Sequence, residues 1–175
     1  HDTARVLTML GKSDSFIGDR AWQSQQRLSE QEYTKGIKRL KAAAVIQYTL
    51  PGVPSLFYGD EAGVQGYGDP FCRATYPWGY ENCDLLDFYK NLGKVRKNCN
   101  AFKSGDFYTV YANENAIAFA RKNDNGKAFV AVNRGRDTIS IEIPSEYAAC
   151  EKAFGKSPLK NILQLGENEY TIIYK

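Results

Sequence analysis

Beyond residue 106 the chain breaks into short apolar runs separated by turn residues, and this rhythm limits the fold more than any other feature. The runs at 107–111, 116–122, 129–133, 139–143, 162–165 and 170–174 are rich in β-branched and aromatic residues, which suit a pleated, half-buried surface. Ile139, Ile141 and Ile143 alternate with Ser140 and Glu142, the period-two pattern of a sheet with one face in water. Asn125-Gly126 lies between two runs, and such a pair is a strong two-residue hairpin signal. Six strands at this spacing predict an antiparallel β-sandwich. Residues 144–160 are polar and turn-rich and read as a long loop.

The first hundred residues carry a different pattern. Residues 1–28 read mainly as loop after a short helix. Ser29-Glu30-Gln31-Glu32 is a capping box, in which Ser29 and Glu32 satisfy each other's backbone N–H groups. Tyr33, Ile37, Leu40, Ala44 and Tyr48 then recur at helical spacing until Pro51-Gly52 stops the helix. The apolar run 55–58, bounded by Pro54 and Gly59, predicts a parallel strand buried on both faces. A Gly-rich and aromatic-rich connection follows over 59–83. A second helix is expected from about Asp84 to Lys97, with Leu85, Phe88, Leu92 and Val95 on one face and Gly93 weakening it. The chain is thus βα-like over 1–100 and all-β over 101–175. One parallel strand and two helices do not close a barrel on their own.

Composition narrows the function classes. Hydrophobic residues make up 43% of the 175 residues, enough for a packed core. A formal charge of +3 without basic blocks gives no footprint for nucleic acid. No apolar run approaches the ~18 residues that cross a bilayer, so no membrane partner is expected. Cys72, Cys83, Cys99 and Cys150 form no CxxC pair, which argues against zinc or dithiol chemistry. Free thiols in the cytoplasm are the default reading, with a Cys72–Cys83 bridge left open.

Two segments resemble a known family. His1-Asp2-Thr3-Ala4-Arg5 resembles the end of the Asn-His-Asp motif after the seventh barrel strand of the α-amylase superfamily. Gly52-Val53-Pro54-Ser55-Leu56-Phe57-Tyr58-Gly59-Asp60-Glu61 resembles that superfamily's eighth-strand motif, Gly-x-Pro followed by Tyr-Gly-x-Glu. A His-Asp dipeptide says nothing alone; in this order, with one helix between and a β-rich region after, the two are specific. Asp69-Pro70-Phe71-Cys72-Arg73, followed by Trp78, resembles a segment of neopullulanases, cyclomaltodextrinases and maltogenic amylases. The resemblance implies an α+β fragment: the last βα units of a (β/α)8 TIM barrel (strand-seven loop, helix seven, strand eight, helix eight; 1–100), then an antiparallel β-sandwich C-terminal domain (101–175). A whole barrel takes about 250 residues, so the reading expects further chain upstream of His1.

The implied chemistry is retaining hydrolysis of α-1,4 or α-1,6 glucosidic bonds in maltooligosaccharides, cyclodextrins or pullulan. Such enzymes set a nucleophilic carboxylate and an acid/base carboxyl about 5–5.5 Å apart. Neither family motif for those two groups matches this sequence, so the chain alone is expected to be inactive. The third family carboxylate maps onto Asp2, which by resemblance grips the hydroxyls of the reacting sugar and stabilises the transition state. His1 would bond the same sugar. Asp69 and Arg73 would bind a neighbouring glucosyl unit, since carboxylate and guanidinium hold vicinal hydroxyls well; a loop-ordering salt bridge is the alternative. Arg5 reads equally as an ion-pair partner and as a substrate contact. Seven of the 23 aromatic residues fall between Phe57 and Tyr80. Tyr67, Trp78 and Tyr80 are the candidates for stacking on sugar faces, while Phe57 and Tyr58 suit packing and Asp60 and Glu61 a structural role. No cofactor and no metal are expected; calcium has only Asp14, Asp19 and nearby carbonyls to recommend it. The expected partners are an α-glucan oligosaccharide, the upstream part of the same enzyme and a second copy in a homo-oligomer. The competing readings are a non-catalytic carbohydrate-binding or interaction module and a transporter-accessory homologue.

Overall fold

The computed structural model describes residues 2–12 and 18–175. It divides into two compact units, His1–Lys41 with Ser55–Lys90, and Ala42–Pro54 with Asn91–Lys175. The architecture is α+β with antiparallel sheets.

The first unit opens with α1 (Val6–Gly11) and α2 (Arg20–Gln25). The Asp19 carboxylate accepts the Trp22 N–H at 2.9 Å and so caps α2. The long helix α3 (Glu30–Thr49) starts on the predicted capping box. Ser29 N–H donates to the Glu32 carboxylate at 2.9 Å, and Glu32 N–H donates to Ser29 Oγ at 3.3 Å. Acidic Glu30 and Glu32 in the first turn also suit the helix dipole. Gly36 explains how closely α1 packs on α3: a Cβ there would meet the Leu7 side chain at 2.9 Å and Gly11 Cα at 3.1 Å. Helix α4 (Cys83–Asn98) covers the predicted span, and Leu85, Phe88, Leu92 and Val95 are all buried. Its first turn is held by Leu85 N–H donating to Asn82 Oδ1 at 2.9 Å.

Residues 55–58 depart from expectation. They make no ladder with any strand among the described residues, and Leu56 and Tyr58 are 37% and 44% exposed. A parallel strand buried on both faces needs flanking strands, and none of the paired strands lies in this unit.

The second unit includes the short helix α5 (Ala101–Ser104). Strands β1 (Asp106–Ala112), β2 (Ala116–Asn123), β3 (Gly126–Asn133), β4 (Ile139–Glu142), helix α6 (Ser145–Ala148), β5 (Lys152–Gly155), β6 (Ile162–Leu165) and β7 (Tyr170–Tyr174) complete the chain. β1-β2-β3-β7-β5 form one antiparallel sheet and β4-β6 a second. Alternation decides which side chains meet between the sheets. Ala118, Ala120, Phe129, Ala131 and Ile173 from the larger sheet pack against Ile141, Leu163 and Leu165 from the smaller one. Asn133 of β3 is fully buried, and its Nδ2 donates to Leu165 O at 3.0 Å and Asp137 O at 2.8 Å, tying the two sheets by polar bonds.

All six predicted strands are present, with two corrections. The β2–β3 loop is Asp124-Asn125, one residue before the predicted pair, because Gly126 already pairs with Asn123. Asn123 Oδ1 accepts the Asn125 N–H at 3.0 Å, so an Asx turn sets the loop's start. The predicted loop 144–160 holds α6 and β5. β5 is a four-residue edge strand with no buried residue, so no alternation marks it in the sequence.

The C-terminus of α3 is capped from elsewhere in the second unit. Arg96 donates to Tyr48 O and to Gly52 O, both at 2.6 Å. Arg121 on β2, 2% exposed, donates Nη1 to Thr49 O at 2.9 Å and both Nε and Nη2 to Gly105 O at 3.1 and 2.7 Å. Burial lowers the Arg121 pKa, with Arg96 adding to the effect. Two cations thus satisfy carbonyls that a helix end leaves without partners.

Candidate active site

Asp2 lies at the start of the first unit, four residues before α1. Arg73 ends a single 3-10 turn, Phe71–Arg73, in the 59–83 connection. Arg73 Nη2 stands 2.9 Å from Asp2 Oδ1, and Arg73 Nε stands 2.9 Å from Asp69 Oδ1. The backbone agrees, since Asp69 N–H donates to Asp2 O at 3.4 Å. Three of the predicted site residues therefore form one carboxylate–guanidinium–carboxylate cluster. The Asp2 hydrogen bond is the main cause that raises the Arg73 pKa. All three side chains are substantially exposed. Exposed ion pairs are worth about 0–1 kcal/mol, so little free energy opposes opening the cluster to a hydroxyl-bearing ligand.

The other predicted residues separate from it. His1 and Asp14 lie outside the described residues. Tyr67 is 2% exposed and meets the Trp22 ring edge-on at 5.4 Å, so its ring is packed rather than open for stacking. Trp78 is 79% exposed, its ring 4.5 Å from that of Tyr76, and Tyr80 is exposed as well. The Tyr76 hydroxyl pKa is raised, first by desolvation and then by Glu61. Asp19 is committed to capping α2. Among the described residues no group of three or more His, Cys, Asp or Glu side chains converges as a metal site. Cys72, Cys83, Cys99 and Cys150 are all free thiols.

Arg5, ambiguous in sequence, is a packed internal cation. Its side chain is 0% exposed; Nε donates to Cys72 O at 2.6 Å and Nη1 to Tyr58 O, while Nη1 also pairs with Asp60 Oδ1 at 3.3 Å. The guanidinium lies over the Phe57 ring, 3.9 Å from its centroid, and 4.7 Å from that of Tyr58. Burial raises the Asp60 pKa, and Arg5 pulls it back down. Sequence reasoning weighed Arg5 and Asp60 separately. Their pairing spans 55 residues, and only the buried setting of both, without any local pattern, reveals it.

The chain has relatives among known proteins. The chain is 38% identical over 146 residues to an amylopullulanase of Thermoanaerobacter thermohydrosulfuricus, which covers 77% of this chain but 9% of that protein. It is 33% identical over 142 residues to a cyclomaltodextrinase of Thermoanaerobacter pseudethanolicus, covering 78% of this chain and 25% of the relative. Its fold matches that of the type III pullulan hydrolase from Thermococcus kodakarensis with a TM-score of 0.75 and 26% identity, over 100% of this chain and 27% of the other. No family model matches the chain. Homologues named amylopullulanase, cyclomaltodextrinase and neopullulanase thus cover about 80% of this chain, and the solved structures that share its fold are debranching and amylase-family enzymes, in line with the α-amylase-superfamily resemblance of its motifs. The chain spans about a tenth to a quarter of the relatives' own length.

Proposed function

We propose that the chain is the C-terminal portion of a retaining α-glucan hydrolase acting on α-1,4 or α-1,6 bonds of maltooligosaccharides, cyclodextrins or pullulan. The observation that carries the reading is the meeting of Asp2, Arg73 and Asp69: Arg73 stands 2.9 Å from each carboxylate, although Asp2 lies 71 positions away in sequence. In this reading residues 1–100 complete a (β/α)8 barrel and 101–175 form its β-sandwich companion. The run 55–58, with Leu56 and Tyr58 exposed and no β-ladder among the described residues, supports this, because it is the segment that flanking barrel strands would cover.

Asp2 acts on the sugar that changes shape during reaction. As the ring flattens toward an oxocarbenium ion, a carboxylate bonded to its hydroxyls gains strength, which lowers the barrier. Arg73 orients that carboxylate before substrate arrives and shares it with Asp69. Glucosyl hydroxyls then replace the two exposed ion pairs, while Trp78 offers an open aromatic face for the next ring. Nucleophile and acid/base come from the remainder of the enzyme, so this chain alone is inactive. Four free thiols support a reducing compartment, the cytoplasm; no helix among the described residues is long and apolar enough to cross a membrane. In the full-length enzyme, Asp2→Ala abolishes turnover of maltooligosaccharides; near-normal kcat in that variant refutes the assignment.

A groove in the second unit favours a second reading, a carbohydrate-binding module. It encloses about 590 Å³ and is lined by half-exposed Tyr108 with Asp106, Lys122, Asp124 and Glu146. Titration of this chain with maltoheptaose separates the readings: heat at millimolar affinity or tighter supports a module, and its absence supports the hydrolase segment.

A further inference from the structure

Arg5 holds together two pieces of chain that the candidate site needs in register. One is the segment that carries Asp2, three residues before Arg5. The other is the connection that runs from Phe57 to Arg73. The Arg5 guanidinium touches both ends of that connection: Tyr58 O and the Asp60 carboxylate at its start, and Cys72 O, the residue before Arg73, at its end. The middle is fixed as well. Arg5 N–H donates to Gly66 O at 2.9 Å, and Gly66 N–H donates to Thr8 Oγ1 at 2.9 Å. A side chain at Gly66 would collide with Phe71 O, so the backbone here passes close to the segment that leads to Arg73.

We infer that Arg5 is a positioning residue, keyed by Asp60, that sets the distance of Arg73 and Asp69 from Asp2. No group of this cluster is better placed for the task. The planar fork of a guanidinium reaches diverging acceptors at once, whereas an ammonium is a single point of charge. The aromatic floor of Phe57 and the buried Asp60 carboxylate stop the fork from turning. Arg5 is fully buried and touches no solvent, so it acts on a sugar only through Asp2 and Arg73. The inference rests on the reading of Asp2 as the transition-state carboxylate. Displacing a catalytic group by about 1 Å costs about a hundredfold in rate.

The test uses the full-length enzyme with Arg5→Lys and Asp60→Asn, beside Asp2→Ala. Asp60→Asn keeps shape and an acceptor oxygen, so it carries the test if Arg5→Lys fails to fold. The expected result is a fall in kcat of ten- to a hundredfold per folded molecule, with KM changed less than kcat. Hydrogen exchange by mass spectrometry should speed up at least tenfold in peptides covering 57–73, while those of α3 and α4 stay at wild-type rates. A kcat within twofold of wild type in both variants overturns the inference. So does unfolding of both, which makes Arg5 a residue of the fold alone. If Asp2→Ala retains turnover, the reading of Asp2 falls by itself; exchange in 57–73 then still decides Arg5, and unchanged rates there sink it.

Discussion

Replacing Arg121 tests whether distant arginines hold the end of α3. Its three donors meet two carbonyl oxygens, Thr49 O and Gly105 O. A hydrogen bond to a charged group contributes about 1.5–3 kcal/mol, so the two acceptors together suggest a gross ~3–6 kcal/mol. Against this stands the cost of burying a cation that has no carboxylate among these partners, several kcal/mol in proteins; the lowered Arg121 pKa reports that same cost, because burial is its main cause. Arg121→Met removes the buried charge and leaves both carbonyls unsatisfied, for a net loss of about 2 kcal/mol. Arg121→Lys keeps the charge but loses the fork, and should cost about 3 kcal/mol. At this chain length 2 kcal/mol lowers Tm by about 4–8 °C. Urea unfolding followed by circular dichroism at 222 nm measures both variants. The order is diagnostic: lysine below methionine below wild type. Full stability in Arg121→Lys would show that charge rather than forked geometry matters, and a loss under about 0.5 kcal/mol in both would refute the capping argument, since that is the scatter of ordinary surface substitutions.

Two carboxylates set a pH dependence. The Glu32 pKa is lowered, first by the Ser29 N–H and then by Lys12, and the Glu169 pKa by the Gly166 N–H and Lys156, each from an ordinary 4.5. Depressed folded values mean that their stabilisation is present above pH 4.5 and is lost as pH falls through the folded values. A Glu32→Gln/Glu169→Gln variant should therefore be less stable than wild type at pH 7 and converge with it in acid; a gap that widens below pH 4.5 would contradict the assignment. In the sandwich core, Leu163→Ala empties a fully buried site between the sheets and should cost about 2–5 kcal/mol in urea unfolding; a cost below 1 kcal/mol would mean that the two sheets do not share one core.

Much of this molecule is written in local pattern. The capping box at Ser29 and Glu32, the helical spacing along α3 and α4, and the alternation Ile139, Ile141, Ile143 all concern residues a few positions apart. Backbone geometry turns such spacing directly into a helix end, a buried stripe or a wet sheet face. The motifs at His1-Asp2 and Gly52–Glu61 are legible in sequence as well, though through their order: the His-Asp dipeptide gains meaning only from the second motif some fifty residues later. Edge strand β5 is illegible for the complementary reason: none of its four residues is buried, so no alternation of buried and exposed positions distinguishes it from loop.

The rest required the folded chain. Tyr67 reads as a sugar-stacking ring until Trp22 is seen against it. Run 55–58 reads as a buried strand, yet burial depends on which neighbours pair with it, not on its own residues. Arg5 shows the division most clearly. Its place three residues after Asp2 is visible in any reading, whereas its role depends on Tyr58, Asp60 and Cys72, which lie more than fifty positions away. Side-chain identity sets what an arginine is able to bond; only the path of the backbone decides which carbonyls and which carboxylate arrive within its reach.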